Sequence, residues 1–303
     1  MRIFTVFKFA LRALRRNVLR STLTSLGIVI GVGSVVVLVA IGTGAREQIE
    51  ARIARLGRNI MMVFPGSYNA AGVRTGNGGR QSLRPEDATA IRREIPFLAG
   101  VSPEVRSREQ VLANGLNWNT QVLGESSDYA DIRSWPLIEG AMFSPDDVAR
   151  KAKVAVVGLT VLQQLGFGEQ RLGGLLRIDG VLFRIVGVLA SRGFTGGNDE
   201  DDVVIVPYTS HMTRLARRNY VSSILIAAHD EEAFDQLQVG ITDLLRERHE
   251  IPAGAPADFL VRTQDEITDA ATASTTTMTS LLSAVAGVSL LVGGIGIMNI
   301  LLV

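Results

Sequence analysis

The chain has 303 residues, 47% of them hydrophobic, with 31 Lys and Arg against 30 Asp and Glu and no cysteine. A mean hydropathy of +0.24 is too apolar for an ordinary water-soluble protein of this length, so part of the chain is expected to sit in lipid. The absence of cysteine excludes disulfides and thiol chemistry, and any exported domain must hold together by burial alone.

Within residues 1–20, Ile3, Phe4, Phe7, Ala10, Leu11 and Leu14 fall at helical spacing, while Lys8, Arg12, Arg15 and Arg16 lie mainly elsewhere around the wheel. This pattern fits a basic amphipathic helix on an anionic cytoplasmic leaflet, or equally a plain cytosolic flank whose charges set topology. No charged residue occurs between Arg20 and Arg46. The stretch from Leu23 to Ile41 is almost wholly Leu, Ile, Val, Gly, Ala and Ser, long enough to cross a hydrocarbon core of about 30 Å. A first membrane helix is therefore expected over 21–45. With Lys8, Arg12, Arg15, Arg16 and Arg20 crowding its amino side, that side stays cytoplasmic and the following region lies outside, over about residues 46–279. A cleaved signal peptide fits less well, because the apolar run is too long and leads straight into helical charged sequence. Gly27 and Gly31, four apart, offer a face for close helix packing.

Past the span, Ile49, Ile53 and Leu56 continue a helical stripe, predicting a stalk over 46–57. One helix from Ser21 to Leu56 would be about 54 Å long, well beyond the bilayer. Residues 59–64 read as a short strand closed by Pro65-Gly66, and 67–79 as a mobile Gly-, Asn- and Ser-rich loop. Ser82 and Pro85 open a helix that ends before Pro96, with Ala88, Ile91 and Ile95 as its inner stripe.

From Glu109 to about Tyr208 the texture changes to strand-like runs at 153–157, 175–178, 181–189 and 203–206. Asp179-Gly180 between two of them is a strong hairpin signal. Residues 222–228 then read as a strand, 231–248 as a helix with Phe234, Leu237, Ile241, Leu244 and Leu245 on one face, and 258–261 as a strand. The expected fold is therefore a membrane α-helical part plus an α/β domain (58–108 and 209–263) carrying an inserted, mostly β subdomain (109–208). A second stalk is expected at 264–279 and a second membrane helix at 280–303, where Gly287, Gly293 and Gly294 give small faces.

Chemistry-bearing motifs are sparse. The ATP-binding pattern G-x-x-x-x-G-K-[ST] is absent, and Gly31-Val32-Gly33 lies in the apolar span with no strand before it, which rules out a dinucleotide fingerprint. The acidic run Asn198, Asp199, Glu200, Asp201 and Asp202 lacks calcium-loop spacing and reads as a solvated loop. His211, His229 and His249 have no ligand spacing and read as surface or helix-end residues. G-x-S-x-G is also absent, so no catalytic residue, metal site or bound cofactor is expected in this chain. No nucleic-acid partner is expected either.

The segments ALRALRRNVLRSTLTSLGIVIGVGSVVVLVAIGTGA, LGRNIMMVFPG, IEGAMFSPDD, KVAVVG, LLRIDGVLFRIVGVL, GNDEDDVVIVPYT and TSLLSAVAGVSLLVGGIGIMNILLV occur in this order. Together they resemble MacB-like ABC transporter permeases, relatives of the lipoprotein-releasing and FtsX-like permeases, over the whole chain. The resemblance implies a homodimeric permease of the bacterial inner membrane with a porter-like and an inserted sabre-like periplasmic subdomain. It also implies an ABC ATPase partner that binds ATP and Mg, a periplasmic adaptor, an outer-membrane channel, and contact with a partner as an added role for residues 198–202.

The sequence begins at the amphipathic helix and stops on the second span. The ATPase is accordingly expected in a separate chain, and two further membrane helices and a coupling segment elsewhere. A lipoprotein-releasing permease is the nearest alternative. A membrane-anchored periplasmic sensor shares the plan of span, domain and span, and a membrane-anchored periplasmic enzyme would need a pocket of convergent titratable groups.

Overall fold

The computed structural model describes residues 59–66, 81–168, 171–195, 198–229 and 234–267, with scattered positions between 18 and 47 and between 269 and 298. The basic flank of Lys8, Arg12, Arg15, Arg16 and Arg20, the packing glycines Gly27, Gly31 and Gly293, the stalk residues Ile49, Ile53 and Leu56, and the loop at 67–79 lie outside the described residues. The chain divides into two units, Met1–Glu50 with Asp269–Val303, and Ala51–Thr268.

In the first unit every described position is helical. Its apolar side chains face outward: Val29 is 67% exposed and Leu291 68%. Among the described residues no helix is long and apolar enough to cross a membrane.

The second unit runs β1 (Ile60–Pro65), α1 (Pro85–Glu94), β2 (Leu98–Ala113), β3 (Leu116–Glu125), β4 (Leu137–Gly140), β5 (Val154–Val157), β6 (Leu175–Ile178), β7 (Val181–Leu189), β8 (Phe194–Thr195), β9 (Asn198–Asp199), β10 (Val203–Pro207), β11 (Ser223–Ala228), α2 (Phe234–Arg248) and β12 (Phe259–Thr263). Short helical turns occupy Tyr129–Ile132, Pro145–Ala149, Leu159–Gln164 and Tyr208–Ser210, the last continuing into a π-helical turn at His211–Leu215. One sheet takes the order β12-β1-β11-β2-β3-β10-β5-β7-β4, with β6 bridging β2 and β7.

The strands β12, β1, β11 and β2 pair antiparallel. Alternate residues of β1 and β11 enter two different cores. Met61, Val63, Ile224 and Ile226 pack with Ile91 of α1 and Leu237, Ile241 and Leu245 of α2. Ile60, Met62, Leu225 and Ala227 pack on the other face with Leu123, Tyr129 and Trp135. With both faces covered, these strands read as continuous apolar runs instead of alternating ones. A third core around Phe183, Leu162 and Leu176 fills the β-rich half.

Local chemistry accounts for several boundaries. In α1, Pro85 opens the helix, Glu86 and Asp87 sit in the first turn, and Arg92 and Arg93 in the last, each sign matching the helix dipole. Asp179 and Gly180 both take positive φ between β6 and β7, as a two-residue hairpin with mirror-image turn geometry requires. Asn114-Gly115 does the same between β2 and β3.

A buried ion cluster ties α1 to the end of α2. His249 sits 2.7 Å from Asp258 through Nδ1 and 3.2 Å from Asp87 through Nε2, while Arg248 donates to Asp87 at 3.1 Å. The hydrogen bonds to Asp258 and Asp87 outweigh burial and raise the imidazole to about 9. Burial pushes Asp87 up, but donors from His249, the Arg84 amide and Arg248 outweigh it and hold the carboxyl below its usual range.

A His whose folded pKa lies above its unfolded value stabilises the fold fully below the unfolded pKa and loses that contribution as pH rises through the folded one. Unfolding of the chain by urea, followed through its two tryptophans, is expected to lose on the order of 2 kcal/mol between pH about 6.5 and about 9. His249→Ala is expected to flatten that slope; an unchanged slope would show that another group carries it.

Candidate functional site

The acidic run is folded inward, contrary to the solvated loop expected from composition. Asp201 is only 5% exposed. Its Oδ1 accepts the Arg192 amide at 2.7 Å, and its Oδ2 accepts the Ser191 hydroxyl at 2.5 Å and the Gly193 amide at 3.1 Å. Asp199 accepts the Asp201 amide and the Thr160 hydroxyl, and Asp202 accepts the Trp118 indole N–H at 2.8 Å. Glu200 lies 3.8 Å from Arg192, whose guanidinium stacks 4.4 Å from the Trp135 ring centroid. Local composition marks these carboxylates as solvated, but Asp199, Asp201 and Asp202 each accept a hydrogen bond within the chain. Gly158 is required beside them, because a Cβ there would lie 2.2 Å from the Asp201 carbonyl oxygen. Asn198 is exposed.

A second polar cluster lies where β2 changes partner. Residues 98–104 of β2 pair with β11, with Glu104 opposite Ser223, and residues 105–113 pair with β3, with Val105 opposite Gly124. Three side chains of β2 meet two neighbouring strands there. Glu104 accepts Arg106 Nε at 2.5 Å, Arg106 Nη2 at 2.9 Å and the Ser223 hydroxyl at 2.8 Å. Ser102 donates its hydroxyl to Glu125 Oε2 at 2.6 Å and accepts the Ser126 amide at 2.8 Å.

Glu104 and Glu125 are both fully buried, 2% and 0% exposed. Burial raises Glu104, but the charge and hydrogen bonds of Arg106 outweigh it and hold Glu104 ionised. Burial and then the Glu104 charge push Glu125 well above the usual carboxylate range. Glu125 Oε1 has no donor facing it, which favours the protonated acid, and a side-chain hydrogen bond joins the Glu125 and Glu104 carboxyls.

His211 borders this cluster; of the surface and helix-end placements expected it takes the second, at the end of Tyr208–Ser210, and it is fully buried there. A Cβ on Gly124 would lie 2.6 Å from His211 Cβ, and His211 Nε2 contacts the Ser107 hydroxyl at 2.9 Å. Burial and the Arg218 charge lower its pKa to about 4, so the ring is neutral near pH 7.

Next to the junction, a cleft of about 610 Å³ separates Glu86 at the start of α1 from Lys151, Tyr208, Arg217 and Arg218. A smaller hollow of about 240 Å³ shares Tyr208 and reaches Arg92, Ser126 and Asp128. Among the described residues no group of three or more His, Asp or Glu could hold a metal ion.

Among the described residues singled out from sequence as site candidates, the structure gathers Asp199 to Asp202 into a shared environment. Gly287 and Gly294 are helical, and among the described residues nothing lies within 4 Å of a Cβ placed on either. Glu104, Arg106, Glu125, His211 and His249 were not legible as a site. The only local hint was an acidic residue inside or ending a strand run, and the contacts that matter join positions as far as 162 residues apart.

Comparison with known proteins supplies the family. Residues 21–244 match the MacB-like periplasmic core domain. A "Macrolide export ATP-binding/permease protein MacB" of Bdellovibrio bacteriovorus is 38% identical over 294 residues, 96% of this chain and 45% of that protein. A protein of the same description from Wolinella succinogenes is 37% identical over 304 residues, 100% of this chain and 46% of that protein. The chain thus spans about half the length of these relatives. In fold it is similar to the crystal structure of the periplasmic region of MacB from Actinobacillus actinomycetemcomitans, with TM-score 0.60 and 20% identity over 73% of this chain and 96% of that one. It is also similar to the extracellular domain of the noncanonic ABC-type transporter YknZ from Gram-positive bacteria, with TM-score 0.55 and 15% identity over 67% of this chain and 100% of that one.

Removing the Asp201 carboxylate strands two amides and a hydroxyl. Asp201→Ala is therefore expected to cost about 2–4 kcal/mol in urea unfolding, against less than about 0.5 kcal/mol for Asn198→Ala at its exposed neighbour. Equal effects at the two positions would contradict the inward role of the run.

Proposed function

The chain belongs to the MacB-like ABC transporter permease family, and from that premise we propose that it couples ATP binding and hydrolysis in a separate cytoplasmic subunit to movement of a periplasmic domain. That movement drives efflux of a periplasmic substrate, such as an antibiotic or peptide, through an adaptor and an outer-membrane channel. The observation that carries this reading is the match of 96–100% of the chain to two macrolide-export permease proteins.

In this reading residues 21–45 and 280–303 cross the inner membrane. The outward apolar side chains at Val29, Val36, Leu281 and Leu291 support lipid contact, and Lys8 to Arg20 hold the amino terminus in the cytoplasm. Residues 58–108 with 209–263 form the porter-like part, and 109–208 the sabre-like part. A second copy completes the permease, with Gly27, Gly31, Gly287, Gly293 and Gly294 available for close helix packing. ATP and Mg are held by the nucleotide-binding subunit, and no nucleic acid takes part. Because the carboxylates at 199–202 are engaged within the chain, exposed Asn198 is the position of that run left for contact with a partner.

The stalks at 46–57 and 264–279 carry the motion. A packed helix pair continuous with its spans transmits a change of tilt instead of absorbing it. Proline at position 49 or 53 removes a helical hydrogen bond and kinks the lever. In the complete transporter, Ile49→Pro and Ile53→Pro are expected to lower adaptor-stimulated ATP turnover and export roughly tenfold or more while the protein still reaches the membrane. Wild-type export and turnover in either variant would overturn the lever.

A further inference from the structure

The two halves of the sheet meet through one strand. No residue of β2 is paired on both edges at the changeover: positions up to Glu104 have β11 on one side, and positions from Val105 have β3 on the other. A backbone ladder of this kind resists shear along each half. It leaves rotation about the Glu104–Val105 step to be held by side chains.

Beside the apolar core that both halves share, one chain of polar contacts crosses the step. It runs from Ser223 of β11 to Glu104 of β2, on to Glu125 at the end of β3, and back to Ser102 of β2. Arg106 supplies the positive charge nearest to it. We propose that Glu104 and Glu125 form a proton-dependent latch across this joint, closed while one proton is shared between the two carboxyls and released when that proton is lost.

The release follows from charge balance. The closed state sets one carboxylate and one neutral acid against one guanidinium. Loss of the proton from the pair to water leaves two neighbouring buried carboxylates facing that same guanidinium, and none of the surrounding groups can take up the second charge. Tyr129, on the helical turn after β3, is buried and its phenol stays neutral, because burial raises its pKa. Arg133 stacks on the Tyr129 ring, 6.0 Å from its centroid. His211 on the π-helical turn is neutral above its lowered pKa of about 4. Arg218 directs Nη2 to the Arg106 carbonyl and the Ser222 hydroxyl, and its guanidinium lies over the Tyr220 ring. Ser102 and Ser223 donate hydroxyls already. Separation of β3 from β2 at Val105 and Gly124, which admits water, is the remaining way to relieve the repulsion. The cleft and hollow beside Tyr208 have α1 on one wall and the 126–128 and 208–219 segments on the other, so opening at this joint changes their width.

Hydrogen exchange of the full chain in lipid nanodiscs tests the latch whether or not the protein transports. After correction for intrinsic rates, segments 98–113 and 116–126 are expected to exchange roughly tenfold or more faster at about pH 9 than at about pH 6. In Glu125→Gln, which copies the protonated acid, that rise is expected to vanish while protection at the lower pH is kept. The His249 cluster also loses its proton as pH rises toward about 9, but it reports in α1 and α2, and Glu125→Gln leaves its change in place. Should Glu125→Gln fail to fold, Glu104→Gln asks the same question, since a single carboxyl facing Arg106 has no neighbour to repel it and the rise disappears. Equal corrected exchange at both pH values in the wild type, or a rise that survives in the folded variant, overturns the latch.

Discussion

The second unit depends on β2. Its 16 residues are shared between a four-stranded antiparallel layer with helices on one face and a β-rich half with its own core. The strand therefore has to satisfy two environments in succession. Residues 100–105 are buried, and its second half exposes Arg106, Arg108, Gln110 and Leu112 on one face. Buried ionisable groups are costly to desolvate, and they persist where geometry gives them full partnership. At the changeover that partnership comes from the Arg106 guanidinium and the hydroxyls of Ser102 and Ser223, so the polar cluster and the topology are two aspects of one arrangement.

The same economy appears at the other polar clusters. Asp201 gathers the donors of 191–193, and His249 draws together α1, α2 and the approach to β12. In a domain without disulfides, these charged staples fix segments that apolar burial alone leaves free to slide, because dispersion and burial have little directional preference. Such staples favour motion of the body as blocks about a few joints over bending throughout. The force transmission proposed for the domain requires that property.

Much of the fold was legible where the physics is local. The Pro85 start of α1, the Asp179-Gly180 turn and the apolar stripe of α2 follow from backbone preference and periodicity, and the structure has elements at those places. Asn114-Gly115 carries the same hairpin signal and was missed, because β2 and β3 show solvent-facing Arg, Gln and Asn on one side and do not read as apolar runs. The division drawn at residue 108 falls inside β2, since a strand that passes from one half to the other carries no break in composition. Glu104, Glu125 and His211 could not be found from sequence at all, because their partners are distant in the chain. The acidic run was misread for the related reason that composition does not reveal which turn folds back onto its own amides.

In the proposed topology the 51–268 body stands on the outer side of the inner membrane, with the amino terminus on the other side. The chain has no cysteine, so single substitutions report sidedness without background. In intact spheroplasts, a membrane-impermeant maleimide should label Asn119→Cys and Asn198→Cys, both at exposed positions, and should reach Lys8→Cys only after the membrane is permeabilised. Labelling of Lys8→Cys with both domain positions protected would contradict the account.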